Sequence, residues 1–304
     1  MDNIMKLSAL FGPSGDEQQV MDYIKGEIAG YFDECYIDNL GSLILRKKGK
    51  GRRICFAAFT DERGIFISHI EKDEMYFCPV GKVDPIDLVN REIILKNGGR
   101  GFVYCDKTVS EAKLQDMYLP FIEGVSVGDT GVAACGVIDG GDTLTAKALE
   151  RGVCCHILME AAKEISGNGN EIYFVFSAMY QIGKKGLNAA LSAIKPDHAV
   201  VLDTLSTAKK DNSTLVSLGD GVIVKLKERA FMAKRELLDG ITLPYKKYVS
   251  NETEITAKHP VTFGVLTLDI AVPMQYNNHF CQRVKYGDVE AMGEFVKNIV
   301  KSEE

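Results

Sequence analysis

The sequence lacks tryptophan, has only five histidines, and contains no Cys-x-x-Cys pair among its eight cysteines. Cys-x-x-Cys pairs are typical of zinc knuckles and thioredoxin-like redox sites, so their absence argues against both classes. Most of the cysteines lie inside apolar runs, which is typical of buried thiols. We therefore expect reduced cysteines and a cytoplasmic protein.

Long apolar runs and an excess of basic charge are also missing. No apolar run approaches the roughly 20 residues that a transmembrane helix needs. The opening Met1-Asp2-Asn3 lacks the basic start of a signal peptide. The formal net charge is -6, which argues against nucleic acid as a partner. We expect a protein that binds neither nucleic acid nor a membrane.

An amphipathic helix is predicted near the start of the chain. Apolar residues recur every four positions from Val20 to Phe32, which is a helical spacing. Ser14-Gly15-Asp16-Glu17 precedes them with the spacing of a capping box, in which a side-chain N-cap is followed three residues later by glutamate. We expect Ser14 to cap this helix.

Strands alternate with helices again after residue 147. Strands are predicted at 171–178, 198–203, 222–227 and 262–272, and helices at 149–165, 184–194, 229–238 and 288–301. An earlier continuous apolar run, 54–59, is typical of a strand covered on both faces. This order predicts an α/β fold with a mostly parallel sheet and helices on both faces.

The segment between these two α/β parts has a different pattern. Short strand candidates occur at 65–70, 75–80, 92–96, 102–105 and 131–138. Asn97-Gly98 is typical of a tight turn between two strands. We therefore predict an α/β core at residues 1–66 and 147–304, with a small barrel-like β domain inserted at residues 67–146.

Polar residues follow three of the predicted core strands. Asp61, Glu62 and Arg63 follow the first strand, Tyr180 and Gln181 follow the second, and Asp203 ends the third. Ligands bind at the carboxyl ends of strands in an open parallel sheet. Single acids at strand ends are also common as turn or cap residues, so both roles remain open at this point.

Several longer pieces of the sequence, taken in order, resemble the glutamyl aminopeptidase family, the tetrahedral aminopeptidases, which are also described as endoglucanase-like. The pieces include LSALFGPSGDEQQV, YIDNLGSLILRKKG, AAFTDERGIFISHI, TAKALERGVC, FSAMYQIGKKGLNAA and VPMQYNNHF. The resemblance covers nearly the whole chain. It implies a zinc-peptidase-like core, a β dimerisation domain for the insertion, and homo-oligomers from dimers to dodecamers.

The resemblance also implies where a two-metal active site would lie, because enzymes of this family are cocatalytic zinc or cobalt exopeptidases. Asp61 retains the catalytic aspartate, and Asp203 retains an aspartate ligand. The other matching positions are Phe59 and Asn278 for two histidine ligands, Gln181 for a glutamate ligand, Glu150 for the bridging aspartate and Tyr180 for the general-base glutamate.

These replacements predict the loss of dinuclear chemistry. Phenylalanine cannot ligate a metal ion, and amide side chains are weak, neutral ligands for zinc. A tyrosine with a pKa of about 10 is a poor base at neutral pH. We therefore predict an inactive homologue without a zinc or cobalt cofactor. Its role would be to bind a peptide or an amino-acid-like ligand, or to serve in assembly.

Two further hypotheses remain open. In the first, one zinc or cobalt ion supports a weaker hydrolysis, with ligands drawn from Asp61, Glu150, Asp203 and His279. That hypothesis requires a one-residue shift that brings His279 inward. The second is a purely structural role, in which the oligomer has an inert core. In each case we expect Arg63 to pair with a carboxylate and to hold its turn.

Overall fold

The computed structural model describes residues 2–108, 110–166, 169–207, 213–228, 231–239, 241–250 and 264–303. The first part of the chain forms α1 (Asp2–Ala9), α2 (Gln18–Ile28), β1 (Glu34–Ile37), β2 (Leu43–Lys47) and β3 (Arg53–Phe59). Strand β3 is buried along its whole length except at its first residue. This burial is expected of a strand that is covered on both faces.

The middle part of the chain builds an antiparallel sheet. It contains β4 (Gly64–Glu71), β5 (Glu74–Val80), α3 (Pro85–Leu88), β6 (Glu92–Leu95), β7 (Arg100–Phe102), β8 (Tyr104–Cys105), β9 (Met117–Pro120) and β10 (Thr130–Ala133). The strand order is β7-β6-β10-β4-β5-β9-β8, around a separate apolar core. The predicted Asn97-Gly98 turn is confirmed, because it joins the antiparallel pair β6 and β7.

The last part of the chain returns to alternating strands and helices. It contains β11 (Ile138–Asp139), β12 (Thr143–Lys147), α4 (Leu149–Ala162), β13 (Glu171–Ser177), α5 (Lys185–Ile194), β14 (His198–Ser206), β15 (Ile223–Glu228), β16 (Phe231–Met232), β17 (Lys246–Val249), β18 (Leu266–Met274), β19 (Cys281–Lys285) and α6 (Tyr286–Glu303). Helices α4, α5 and α6 confirm three of the predicted helices, with ends that differ by a few residues.

The central sheet has the strand order β1-β2-β13-β3-β14-β18-β15-β16, and β17 pairs with β15. Strands β13, β3, β14 and β18 are parallel to one another. Side chains of β3 alternate between two cores: Phe56 packs with α1, α2, α4 and α6, whereas Ala57 packs with α5. The predicted fold class, a mostly parallel sheet between helices, is therefore confirmed.

The predicted helix at 229–238 is wrong. Its described part forms β16, which pairs antiparallel with β15, followed by a single 3-10 turn at Arg235–Leu237. Hairpin pairing takes up the backbone groups that a helix would bond internally, so tertiary pairing overrides the local spacing. The strand predicted from residue 262 begins at Leu266, and residues 262 and 263 lie outside the described part of the chain.

The expectation that all cysteines are reduced is also wrong for one pair. Cys135 and Cys281 form a disulfide with a Cα–Cα distance of 6.2 Å, within the usual range of roughly 4.4–6.8 Å. The two residues lie 146 positions apart in the sequence, so no local spacing signals the pairing. The other six cysteines are free. No helix in the described ranges combines the length and apolarity needed to cross a membrane.

Candidate functional site

Three neighbouring parallel strands bring the predicted site residues together. Strands β13, β3 and β14 lie side by side, so the residues after their carboxyl ends meet at one edge of the sheet. The backbone N–H of Gln181 donates to Asp61 Oδ2 at 2.8 Å, and the Tyr180 hydroxyl donates to Asp203 Oδ2 at 2.9 Å. The strand-end interpretation of Asp61, Tyr180, Gln181 and Asp203 is consistent with these contacts.

An aromatic pair fills one side of the site. The rings of Phe59 and Tyr180 stack with centroids 3.9 Å apart and planes 17° from parallel. The Lys184 ammonium lies 4.7 Å from the centroid of the Tyr180 ring. Burial, and then the negative charge of Asp203, raise the pKa of Tyr180 well above its ordinary value. Tyr180 is therefore a protonated donor at neutral pH, packed on a side chain that cannot ligate a metal ion.

A buried lysine neutralises the Asp203 carboxylate. Lys225 Nζ lies 2.9 Å from Asp203 Oδ2, and it also lies within 3.3 Å of Glu228 and Asp269. We call these four residues the Lys225 cluster. Burial opposes ionisation of Asp203, but the Lys225 ammonium outweighs it and lowers the pKa of Asp203. Burial raises the pKa of Asp269 to about 6, although Lys225 acts against that rise.

A second internal cation neutralises Glu150. Arg63 Nη2 lies 2.7 Å from Glu150 Oε1, so the expected pairing of Arg63 with a carboxylate is confirmed. The side-chain amides of Gln282 and Gln181 also donate to Glu150, at 2.6 and 3.2 Å. Burial raises the pKa of Glu150, and Arg63 opposes that rise. All these donors come from the chain itself.

Asp61 is buried and only partly satisfied. Its Oδ2 accepts hydrogen bonds from the Ser14 hydroxyl and from the Gln181 backbone, whereas its Oδ1 accepts none within the described structure. Burial, reinforced by the nearby charge of Glu17, raises the pKa of Asp61 to about 6. The carboxyl group therefore titrates well above an exposed aspartate.

The predicted capping box is wrong. Ser14 donates to Asp61 instead of capping a helix, and α2 begins at Gln18 without a side-chain cap. The Glu17 carboxylate accepts hydrogen bonds from the backbone N–H groups of Gly15 and Met179 at 2.9 Å. Met179 has a φ of 56°, a left-handed conformation that is unfavourable for its residue type. Glu17 therefore holds the turn that leads into Tyr180.

A buried charge network that the sequence did not indicate lies behind the site. Arg151 is fully buried and donates to the carbonyl groups of Leu7, Leu10, Gly12 and Thr60. Glu62 Oε1 forms ion pairs with Arg151 at 3.1 Å and with Lys147 at 2.6 Å. An arginine inside an apolar helix was the available signal, but its carbonyl partners are more than 90 residues away.

The loop after β18 carries the two remaining predicted positions. His279 Nδ1 lies 2.8 Å from Asp87 Oδ2, and the histidine side chain is 47% exposed. It also borders a cavity of about 10 Å³ beside Asp61 and Glu150, room for about one water molecule. Asn278 is exposed. A larger cavity of about 240 Å³ is lined by Ser206, Thr207, Gln275, Tyr276, Asn277, Asn278 and His279.

The described side chains do not fit a two-metal site. An ammonium and a guanidinium already bond the two carboxylates that match metal-ligand positions, Asp203 and Glu150. Phe59 offers no donor atom, and the amide of Gln181 donates to Glu150. Across the described ranges, no three His, Cys, Asp or Glu side chains converge in a metal-binding arrangement. A two-metal site requires carboxylates and imidazoles that are free to offset two dications.

The parallel strands of the α/β core place the candidate site at one edge of the sheet. The chain belongs to the M42 glutamyl aminopeptidase family, whose model matches residues 121–295. A putative aminopeptidase of Acetivibrio thermocellus is 30% identical over an alignment 311 residues long, gaps included, which covers 95% of this chain and 94% of that relative. The family is thus a family of peptidases.

Solved structures share the fold over nearly the whole chain. An aminopeptidase from the archaeon Desulfurococcus kamchatkensis superposes with a TM-score of 0.88 at 24% identity, covering 99% of this chain and 94% of that one. The TET1 peptidase of Pyrococcus horikoshii gives a TM-score of 0.87 at 20% identity, covering 98% of each chain. That peptidase can assemble into a tetrahedron or a large octahedral shell.

Proposed function

We propose that this chain is a catalytically inactive member of the family, with a role in binding or assembly. One observation carries the proposal: each carboxylate that matches a metal-ligand position is bonded to a cation of the chain itself. Lys225 lies 2.9 Å from Asp203, and Arg63 lies 2.7 Å from Glu150. A metal ion would have to displace the buried Lys225 ammonium and the half-buried Arg63 guanidinium, which leaves charges uncompensated.

Tyr180, the residue that matches the general-base glutamate of the family, supports the same conclusion. A general base must accept a proton from water near the operating pH. The pKa of Tyr180 is raised well above its ordinary value, first by burial and then by Asp203. Its hydroxyl proton is directed to Asp203. Tyr180 therefore acts as a structural donor at neutral pH.

The alternative is an altered hydrolase with one zinc or cobalt ion held by Asp61, Glu150, Asp203 and His279. The side-chain contacts favour the inactive hypothesis, because His279 pairs with Asp87 and the Asp203 and Glu150 carboxylates are ion-paired. This alternative predicts one metal ion per chain and a measurable hydrolysis. A measurement of bound metal together with hydrolysis therefore distinguishes the two hypotheses.

Metal retention together with hydrolysis tests the proposal directly. Untagged protein is incubated with Zn²⁺ or Co²⁺ at neutral pH, desalted, analysed for metal, and assayed with aminoacyl p-nitroanilides. We expect less than about a tenth of an ion per chain and no cleavage above the blank, because the matching ligand set is missing.

Two variants serve as controls for that measurement. Two ions per chain, lost in Asp203→Asn and accompanied by hydrolysis, would overturn the proposal and identify a peptidase. One ion per chain that is lost in His279→Ala would establish the single-metal alternative. Metal that is unaffected by either substitution lies elsewhere on the chain and leaves the site as proposed.

We propose a peptide or an amino-acid-like molecule as the ligand of the cleft. The cavity of about 240 Å³ beside the site is lined by hydroxyl, amide and imidazole groups. Such groups donate hydrogen bonds to a peptide backbone and accept hydrogen bonds from it, and they need no charge to do so. If no peptide or amino acid binds in calorimetry, the purely structural hypothesis takes its place.

We also propose that residues 67–146 form an inserted β domain in a core of residues 1–66 and 147–304, and that this domain mediates homo-oligomer formation. The outer face of its sheet carries a row of rings, with His69 stacked on Tyr76, and Tyr118 between Tyr76 and Tyr104. Exposed aromatic rows are typical of association surfaces.

Light scattering tests this assembly. We expect a mass between a dimer and a dodecamer, and a shift towards the monomer in a Tyr104→Glu, Tyr118→Glu variant, because the new charges would be buried on association. Ile138→Asp is the matched control, since Ile138 is exposed but lies outside this sheet. A monomeric wild-type chain would contradict the assembly role and leave ligand binding as the proposed role.

We propose the cytoplasm as the location. Six of the eight cysteines are free thiols, and Cys154 and Cys155 are fully buried. Free thiols are typical of a reducing compartment. Recovery of the protein in an extracytoplasmic fraction would contradict this proposal.

A further inference from the structure

We propose that a cavity at the amino ends of the central strands binds a small amphipathic cation, which carries an ammonium group on an apolar chain. The cavity has a volume of about 440 Å³, and sites for small molecules typically measure roughly 300–1,000 Å³. None of the residues that match the metal-ligand or catalytic positions of the family lines it. The proposal therefore goes beyond the proposed function, and it does not depend on whether the chain hydrolyses peptides.

The cavity and the candidate functional site lie at opposite edges of the sheet. His198, the first residue of β14, lines the cavity. Asp203 lies five residues further along the same strand, about 16 Å away at roughly 3.3 Å per residue. Leu266, the first residue of the neighbouring strand β18, also lines the cavity. The two sites are therefore separate.

Apolar side chains form the floor of the cavity. Val200 pairs with Leu268 and His198 pairs with Leu266, so these four side chains lie on one face of the sheet. Leu266 and Ile299 of α6 are only half-buried, and their apolar surface can be covered by a ligand, which is favourable. The full apolar lining consists of Val200, Leu237, Ile241, Leu266, Leu268 and Ile299.

The charged rim of the cavity has a neutralised side and an acidic side. Glu303 lies 3.3 Å from Arg52 Nη2 and 3.1 Å from His198 Nε2, through its two carboxylate oxygens. Glu236 and Asp239 are exposed and line the opposite side, and neither forms an ion pair with another described residue. A ligand ammonium would therefore meet two carboxylates that have no cation of their own. A ligand carboxylate would be repelled by them.

The floor and the rim together indicate the chemical class of the ligand. A chain of methylene groups would cover the apolar floor, and a positive charge at its end would reach the rim beside Glu236 and Asp239. Water screens exposed charges, so each of these two ionic contacts should contribute only modestly to affinity. We therefore expect the apolar chain to supply most of the affinity and the charge to supply the selectivity.

Three probes that share an eight-carbon chain test the proposal. At neutral pH octylamine is positive, 1-octanol is neutral and octanoate is negative. Their dissociation constants are measured on the full chain by isothermal titration calorimetry. We expect octylamine to bind about fivefold more tightly than 1-octanol, and octanoate to bind more weakly than either. Tighter binding of octanoate, or no binding of any probe, would overturn the proposal.

A double variant tests the acidic side of the rim. Glu236→Gln, Asp239→Asn should weaken octylamine binding about fivefold and leave 1-octanol binding unchanged, because it removes charge without altering the floor. Glu290→Gln, Glu294→Gln is the matched control, since it removes two exposed carboxylates of α6 that lie outside the cavity lining. An equal loss of octylamine binding in the control would show a general effect of net charge and would overturn the proposal.

A bulky substitution assigns the probes to this cavity. Asn298 is exposed on α6 and lines the cavity, so Asn298→Trp should cover part of the floor and weaken 1-octanol binding at least tenfold. Lys301→Trp is the control, because Lys301 is exposed on the same helix but lies outside the lining. Unchanged 1-octanol binding by a folded Asn298→Trp chain would place the probe elsewhere and would overturn the proposal.

Discussion

Replacing Arg151 with methionine is expected to lower the free energy of unfolding by about 3–5 kcal/mol. Arg151 is fully buried, and it supplies hydrogen bonds to four backbone carbonyls and an ion pair to Glu62. Methionine fills similar space without a donor, so the carbonyls lose their partner. Glu62 would then retain only Lys147 as a compensating charge.

Urea denaturation followed by circular dichroism measures this loss, and Arg100→Met is the matched control. Arg100 pairs with Glu92, but its side chain is 57% exposed, so its replacement should change stability by less than about 1 kcal/mol. Adding Glu62→Gln to Arg151→Met should restore part of the loss, because it removes the uncompensated carboxylate. If Arg151→Met lowers the free energy of unfolding by no more than Arg100→Met does, the structural role assigned to Arg151 is contradicted.

Replacing Asp61 with asparagine is expected to change how stability depends on pH. The pKa of Asp61 is raised to about 6 in the folded chain, against about 3.9 in an unfolded one. Folding therefore favours the protonated form. The stability contributed by this group is full below about pH 4 and is lost as the pH rises through about 6.

The free energy of unfolding of Asp61→Asn should therefore increase relative to that of the wild type as the pH rises. The difference in unfolding free energy should shift in favour of Asp61→Asn by up to about 3 kcal/mol between pH 4 and pH 7. Denaturant titrations at several pH values would show the shift. Asp142→Asn is the control, because it makes the same chemical change at a side chain that is 70% exposed. A pH-independent difference for Asp61→Asn would count against the raised pKa of the buried Asp61 carboxyl group.

The arrangement of the site could be predicted only where it depends on sheet topology. The apolar strands that become β3, β13 and β14 are evident from composition, and parallel neighbours place their carboxyl ends at one edge. Asp61, Gln181 and Asp203 accordingly lie near one another. Arg63 could be expected to pair with a carboxylate, because a cation beside a buried acid rarely remains unpaired.

The partners from distant segments could not be predicted. Lys225 lies 22 positions after Asp203 on a strand that reads as ordinary β structure, and its burial depends on how β15 docks against β18. The four carbonyl groups that accept from Arg151 come from loops and helix ends that no periodicity connects. Local rules failed for a related reason at Ser14, where a tertiary partner, Asp61, replaced the expected helix cap.

The disulfide between Cys135 and Cys281 makes one stretch of this chain into a covalent ring. The ring closes just after β10 and at the first residue of β19, and it encloses β11 to β18. A single protease cut within residues 136–280 would therefore open the ring without releasing a fragment. In denaturing gel electrophoresis, such a nicked chain would migrate as one band without reductant and as two bands with reductant.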